Sequence, residues 1–390
     1  MNAPDHDVIT PPAMLGILGG GQLGRYFVIA ARTMGYRTTV VEPDPHAPAG
    51  RVADVHLVAD YDDPAALEQL ATTCAVVTTE FENAPATAMV TLVDRTLVRP
   101  SPEAIAVTQD RIAEKQFLAD IGVNVAPYRV IDSAATLADA EASAVFPAIM
   151  KTARLGYDGK GQVRVAAAAD LVAAWAALGS VPCVLEQQLP LDRELSVVLA
   201  RTADGRVAYY PVAENVHVHG ILDTSSVPAV LPGDGHHQAG ELCAGIAEAL
   251  QFVGVLAVEM FVVGNDVLVN ELAPRPHNTG HYTLDACVTD QFQQQVRAIC
   301  GLALGDTGLA VPGVAMVNLL GDLWGDGEPR WATALAEPSA HLHLYGKQQA
   351  RPGRKMGHLT VTSTSSAADA LHVAQRLRSE LGVGYGSAAV

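Results

Sequence analysis

The stretch NELAPRPHNTGH, Asn270 to His281, sets a carboxylate, an arginine, two histidines and two asparagines among two prolines and a glycine. Polar groups at this density cost free energy if buried without partners, so the stretch is either a solvated loop or the wall of a ligand site. A second carboxylate bears on the choice. Gly254 to Val263 and Val267 to Glu271 read as two β-runs around a three-residue hairpin loop, Gly264-Asn265-Asp266, so Val263 faces Val267 and Glu259 faces Glu271. Like charges directly opposite on a ladder destabilise it, unless a divalent cation with a preference for hard oxygen ligands binds both. A loop one residue shorter would put the two carboxylates on opposite faces.

Two further groups suit anions. Phe146 to Lys151 reads as an apolar strand ending in a lysine, followed by Gly156-Tyr157-Asp158-Gly159-Lys160-Gly161-Gln162. Such a Gly-rich loop can fold over polyphosphate, or be a plain hairpin tip. The next strand ends Glu186-Gln187-Gln188-Leu189, where main-chain groups can pair with an adenine edge, and Glu194 follows as a candidate for ribose hydroxyls. Near the C-terminus Lys347, Arg351, Arg354 and Lys355 cluster with no acid between Tyr345 and His358. A solvated basic hairpin is the bland reading; in a chain of formal net charge -17 the cluster stands out, and we read it as a phosphate grip.

The elements that must position these groups begin with a buried strand, Met14 to Leu18, a Gly19-Gly20-Gly21 turn and a helix from Gln22 to Met34 with Leu23, Phe27 and Ala30 on one stripe. Strands at Arg37 to Val41 and Val76 to Thr79 complete a βαβ pattern of parallel sheet, with Glu80 at a strand's carboxyl end, where ligands of such sheets gather. Gly19 to Gly24 fits G-x-G-x-x-G, and Glu42 closes the next strand as in dinucleotide enzymes. The same glycines serve any anion at a helix N-terminus, or simply close packing. Ser101 to Ile121 carries helical periodicity, and an α+β domain follows, with strands at Val145 to Met150, Val181 to Leu185 and Leu195 to Ala200 and helices at Asp170 to Leu178 and Gln238 to Gln251. Short strands and a late helix, Ala367 to Leu381, suggest a small third lobe from Val311 on.

At 390 residues there is room for two or three domains, and 49% hydrophobic with 17% charged residues is an ordinary soluble composition. Apolar runs stop well short of the roughly 18 residues that cross a bilayer, and Met1 to Ala13 reads as a polar, disordered leader rather than a signal peptide. Five cysteines without a Cys-x-x-Cys pair argue against a disulfide framework and a thiolate metal site, so we expect a reduced, cytoplasmic protein. Its acidity disfavours nucleic acid and membrane as partners. His236, His237, His341 and His343 are read as turn or surface residues, because no metal-spaced carboxylate or second histidine accompanies them. Trp175, Trp324 and Trp331 are read as packing.

Taken together, GILGGGQLGR at 16–25, TEFEN at 79–83, DRIAEK at 110–115, GYDGKGQ at 156–162, RELSV at 193–197, NVHVHGIL at 215–222, NELAPRPHNTGH at 270–281 and YGK…RPGRKMGH at 345–358 resemble the ATP-grasp superfamily. Within it they are most similar to the 5-(carboxyamino)imidazole ribonucleotide synthases of purine biosynthesis. The resemblance implies a mixed α/β and α+β architecture: a Rossmann-like domain at 14–104 that binds no dinucleotide, an ATP-grasp domain at 105–308 with a lid at about 120–185, and a small domain at 309–390. It implies a ligase joining bicarbonate to the exocyclic amine of aminoimidazole ribonucleotide through carboxyphosphate, with ATP as co-substrate and Mg²⁺, or Mn²⁺, as metal. A homodimer is expected by the same route. A formate-dependent glycinamide ribonucleotide transformylase is the alternative within the fold, and an NAD-dependent oxidoreductase built on Gly19 to Gly24 the alternative outside it.

Residue by residue, the resemblance implies that Arg111, Lys151, Gly156, Tyr157, Asp158, Gly159, Lys160, Gly161, Gln162, the run Glu186, Gln187, Gln188, Leu189, and Glu194, His217, Asn270 and Glu271 contact ATP. Glu259 and Glu271 would hold the metal. Gln22, Leu23, Glu80, Tyr157, Lys160, Arg275, Lys347 and Arg354 would hold the ribonucleotide, while Arg275, His277 and Asn278 would line the bicarbonate pocket as the catalytic set. The chain departs from the family pattern at Ala153, Leu155, His219 and Thr279; Leu155 stands where a glycine is usual and can stiffen the lid.

Overall fold

The computed structural model describes residues 8–81, 83–156, 159–325 and 327–381. Five parallel strands, β1 (Met14–Leu18), β2 (Arg37–Val41), β3 (Val55–Leu57), β4 (Val76–Thr79) and β5 (Leu97–Val98), pair in the order β3-β2-β1-β4-β5. Helix α1 (Gln22–Thr33) crosses from β1 to β2 and buries Leu23, Tyr26, Phe27, Ala30 and Ala31, the stripe its 3.6 periodicity called for. Gly19, at φ +111°, makes the turn between them, and a Cβ on Gly24 would stand 2.9 Å from the Gly19 carbonyl oxygen, so both positions require glycine.

Ser101 to Ile121 is two helices, Pro102–Thr108 and Arg111–Asp120. The break falls at Asp110, whose carboxylate accepts the Ile112 and Ala113 N–H groups and so starts a new helix where the apolar period alone reads straight through. Four antiparallel strands follow: β6 (Tyr128–Ile131), β7 (Ala148–Thr152), β8 (Gln162–Val165) and β9 (Cys183–Gln187), in the order β6-β9-β7-β8. Strands β7 and β9 start two or three residues later than their apolar runs, after Pro147 and Pro182, which have no N–H for the ladder.

The remaining strands are β10 (Arg193–Arg201), β11 (Val207–Tyr209), β12 (Ala213–Val218), β13 (Ile221–Val227), β14 (Gly254–Val263), β15 (Asp266–Ala273), β16 (Gly313–Leu320), β17 (Ala340–Leu344) and β18 (Lys355–Ser363). They form one sheet, β15-β14-β10-β12-β13-β16-β18-β17, with β11 paired to β10. The C-terminal strands therefore extend the sheet that carries Glu259 and Glu271, and helix Ala367–Leu381 packs on them. Leu195, Val197, Ile246, Phe252, Leu256 and Val258 form the core beneath the carboxylate ladder. Helix Gln291–Ile299, which follows the polar turn after the short helix Thr283–Ala286, puts Phe292, Val296 and Ile299 into one cluster with Leu23 and Phe27 of α1. That shared core brings the turn of 274–281 up against the glycine turn of the first sheet.

Within the expected disordered leader, 1–13, Ile9 is held: it donates its N–H to the Cys300 carbonyl at 3.0 Å and accepts from the Tyr36 hydroxyl at 2.8 Å. Residues 1–7 lie outside the described residues. All five cysteines are free thiols. Among the described residues no helix is long and apolar enough to cross a membrane.

Candidate active site

Glu259 of β14 and Glu271 of β15 are directly opposite each other, although not by the count that predicts it. The hairpin loop has two residues, Gly264 and Asn265, and Val263 pairs with Asp266. A regular ladder from there would oppose Glu259 to Asn270. A β-bulge at Asn270 restores the pairing: Met260 opposes Val269 while Glu259 opposes Glu271. The bulge has a dedicated partner, because the Asn270 carbonyl accepts the ammonium of the fully buried Lys115 at 3.0 Å.

The two acids differ in environment. Burial and the Glu271 charge both push the Glu259 carboxyl above the usual carboxylate range. Burial also works to raise Glu271, but Arg111, at 2.9 Å from its Oε2, outweighs it and holds the group below that range. Asn270 Oδ1, beside them on the bulge, is buried with no hydrogen-bond partner among the described residues. Two facing carboxylates and an orphaned amide oxygen form an all-oxygen donor set, the chemistry that Mg²⁺ or Mn²⁺ takes.

Around this pair lie the residues expected for ATP. Lys151, at the end of β7, reaches Glu186 Oε2 at 2.5 Å, and Lys115 lies 3.1 Å from the other oxygen of the same carboxylate. Burial opposes ionisation of Glu186, but the two lysines, Lys151 foremost, hold its carboxyl down to about 2. Glu186 to Leu189 run off the end of β9, and Glu194 Oε2 is 2.5 Å from His217 Nδ1. Gly156 to Gln162 link β7 to β8; Gly159 and Gly161 take φ of +76° and +71°, and Gly159 packs against the His219-Gly220 turn. Tyr157 and Asp158 lie outside the described residues. Leu155 has φ +63°, a left-handed conformation that costs a leucine what it spares a glycine.

The polar turn continues from the metal-type pair. The His277 main chain is clamped by Gln291, whose Oε1 accepts its N–H at 2.8 Å and whose Nε2 donates to its carbonyl at 2.8 Å. His277 Nδ1 lies 2.9 Å from the Thr279 hydroxyl and accepts the Thr279 N–H, so the ring proton belongs on Nε2, which is 3.5 Å from Glu259 Oε1. Burial, then the Arg275 and Lys355 charges, hold the imidazole neutral. Asn278 Oδ1 accepts from Gln22 Nε2 at 3.3 Å, which joins α1 to the turn.

The first sheet meets this turn through Glu80, buried at the end of β4, whose Oε1 accepts the Gly21 N–H at 2.6 Å. Glu42 Oε2 accepts the Gly20 N–H at 2.9 Å and the Tyr61 hydroxyl at 2.6 Å. The chain's own carboxylates thus fill the anion seat at the start of α1, where a dinucleotide would put its pyrophosphate. The G-x-G-x-x-G reading as a cofactor site fails for that reason.

In the basic cluster, Lys347 donates to the Lys355 carbonyl at 2.8 Å and Arg354 to the Gln349 carbonyl at 3.0 Å, while Arg51 ties Gly346 to the first domain at 3.2 Å. Lys355 was grouped by sequence with this grip; it is instead buried at the start of β18, where its charge bears on Glu259, His217 and His277. Gln291 and Lys115 are site residues to which the sequence assigns no role and for which it carries no local signal, and Lys355 it signals only through the basic run. His343 is a second correction: its Nε2 is 2.8 Å from Asp285 and its ring stacks on His358, partners that lie 58 and 15 positions away and leave no local spacing to read.

Comparison with known proteins decides what this arrangement belongs to. Residues 13–109 match the ribonucleotide synthetase preATP-grasp domain, 116–292 the ATP-grasp domain and 314–371 the phosphoribosylaminoimidazole carboxylase C-terminal domain. The chain is 45% identical to N5-carboxyaminoimidazole ribonucleotide synthase of Brucella melitensis, over 91% of this chain and 98% of that protein. The chain belongs to the N5-carboxyaminoimidazole ribonucleotide synthase family. The Bacillus subtilis member is 43% identical over 90% of this chain and 92% of its own length. Among solved structures of the family, an ADP complex superposes with a TM-score of 0.89 at 40% identity, covering 95% of this chain and 98% of that one. The Aspergillus clavatus enzyme in complex with ADP and 5-aminoimidazole ribonucleotide superposes at 0.85 and 30% identity, covering 95% and 98%.

Proposed function

We propose that this chain carboxylates the exocyclic amine of 5-aminoimidazole ribonucleotide in purine biosynthesis, using ATP and bicarbonate, and releases ADP and phosphate. The observation that carries the reading is the junction of the Glu259–Glu271 pair with Arg275, His277 and Asn278 on one Pro-stiffened turn, packed against Glu80. The cleft at Lys151, Glu186 to Leu189, Glu194 and His217 would hold ATP. Glu80, Gln22, Lys160, Lys347 and Arg354 would hold the ribonucleotide.

Glu259, Glu271 and Asn270 Oδ1 would hold Mg²⁺, which when bound supplies charge neutralisation at the phosphates. Arg275 pairs two oxygens of the planar bicarbonate with its guanidinium fork and aims a third at the γ-phosphorus. That oxygen forms the new P–O bond as the bond to ADP breaks, giving carboxyphosphate. Carboxyphosphate separates into carbon dioxide and phosphate in the water-poor pocket, and the amine nitrogen bonds to carbon. His277, with its ring proton on Nε2, serves as a donor to the anion, so the proton lost by the amine passes to the departing phosphate. A cytoplasmic, homodimeric enzyme is part of the same proposal; the dimer is checked by sedimentation.

The test is phosphate release from ATP with and without ribonucleotide and bicarbonate, using bicarbonate labelled with ¹⁸O. Label appearing in phosphate is the expected result. Turnover with formate in place of bicarbonate would point instead to the transformylase reading.

A further inference from the structure

Behind the bicarbonate turn stands a stack of three imidazoles that the reaction so far leaves idle. His281 lies on His358 with ring centroids 4.4 Å apart and planes 8° apart, and His358 lies on His343 at 4.4 Å and 13°. Asp285, His343 and His358 come close enough to suggest a metal centre. The stacking argues against one, because a cation bound at about 2.0–2.1 Å must lie in the plane of each ligand ring, and near-parallel stacked rings share no such plane. These groups have other work: Asp285 accepts from His343 at 2.8 Å and the Tyr345 hydroxyl meets His358 Nδ1 at 2.9 Å.

The end of the stack touches the reaction site. His281, fully buried, sets Nε2 at 3.2 Å from Asn278 Oδ1, the oxygen that Gln22 Nε2 also approaches at 3.3 Å. Its Nδ1 is buried and has no partner among the described residues. An unpaired buried N–H is rarer and costlier than an unused lone pair, so the proton sits on Nε2 and is donated to Asn278. Burial, reinforced by the His343 charge, keeps the ring neutral. With two donors on Oδ1, the amide is held with its NH₂ end turned away from Gln22 and His281.

We propose that His281 is a positioning residue, which acts through Asn278 by locking that amide with its two N–H donors toward bicarbonate. The proposal rests on the function given above. Without the lock the amide can turn over and present its oxygen to an anion, which repels it.

The experiment is steady-state phosphate release with bicarbonate and ATP varied separately. Wild type comes first: if its phosphate release ignores bicarbonate, the functional reading falls, and this inference with it. Given bicarbonate dependence, His281→Phe, which keeps the stack and loses the donor, is expected to raise KM for bicarbonate about tenfold while KM for ATP stays within about twofold. His281→Gln, which retains an N–H donor, should recover most of the loss. In an Asn278→Ala background His281→Phe should change KM for bicarbonate by less than about twofold, since the group it orients is gone. An unchanged bicarbonate KM in His281→Phe, an equal loss for ATP, or the full effect persisting in Asn278→Ala overturns the proposal while leaving the function standing. Should His281→Phe not fold, His281→Met, also without a donor, is read by the same criteria.

Discussion

Two regions of the molecule set pairs of acids, one buried and one half-buried in each, within reach of one ligand site, and they satisfy them differently. At the glycine turn, Glu42 and Glu80 accept the N–H groups of Gly20 and Gly21, fixed dipoles that the chain itself supplies. On the β14–β15 ladder, Glu259 and Glu271 oppose each other, Arg111 answers only Glu271, and Asn270 Oδ1 has no partner among the described residues. An acid pair closed by the backbone positions things; an acid pair left in conflict is a place for a cation.

The sharpest break of that comparison is charge removal on each side. Glu271→Gln should lower kcat by about 100-fold or more at ordinary magnesium while lowering the melting temperature only slightly, because loss of the pairing with Arg111 is partly offset by relief of the conflict with Glu259. Glu42→Gln should do the reverse, leaving turnover within about twofold and lowering stability by about 1 kcal/mol. Wild-type rates in the first variant, or large rate loss in the second, would erase the distinction. Next in size, Arg354→Ala should raise KM for the ribonucleotide about tenfold with little change for ATP, and isothermal titration with each ligand separates the two.

Smaller effects refine the picture. A Cβ on Gly21 would stand 2.9 Å from Glu80 Oε1, so Gly21→Ala should cost about 1–2 kcal/mol in denaturant unfolding and weaken ribonucleotide binding through the displaced carboxylate. The smallest effect is a pH dependence. Burial pushes the Glu114 carboxyl up to about 8 against the pull of Arg111 and Lys115. A folded-state value above the unfolded one means that the stability tied to the neutral acid is complete below about pH 4.3 and is lost as pH rises through about 8. Glu114→Gln should therefore gain on wild type in thermal melts between pH 5 and 8; a constant difference across that range would refute the assignment.

Much of the site was legible because its chemistry is written in residue type. Arg275, His277 and Asn278 share a single turn, and Glu80 follows a β-branched run directly, so neither needed long-range information. Lys115 shows the limit. It reads as one more polar position on a helix, yet it is wholly buried and holds both Glu186 and the Asn270 carbonyl. Gln291 draws no reading from its sequence context, yet it opens a helix and clamps His277. Such roles depend on which distant groups arrive, and local periodicity carries no record of that.

The sequence by itself determined the chemical inventory, the parallel first domain, and the two β-runs that carry the acids. Only the tertiary structure decided how those runs register. The loop is one residue shorter than it reads, and counting by twos from it would separate Glu259 from Glu271. A bulge at Asn270, anchored by a lysine 155 positions away, returns them to one face. Alternation fixes the face of a strand only while its ladder stays regular, and a bulge persists only where some distant group satisfies the backbone it exposes.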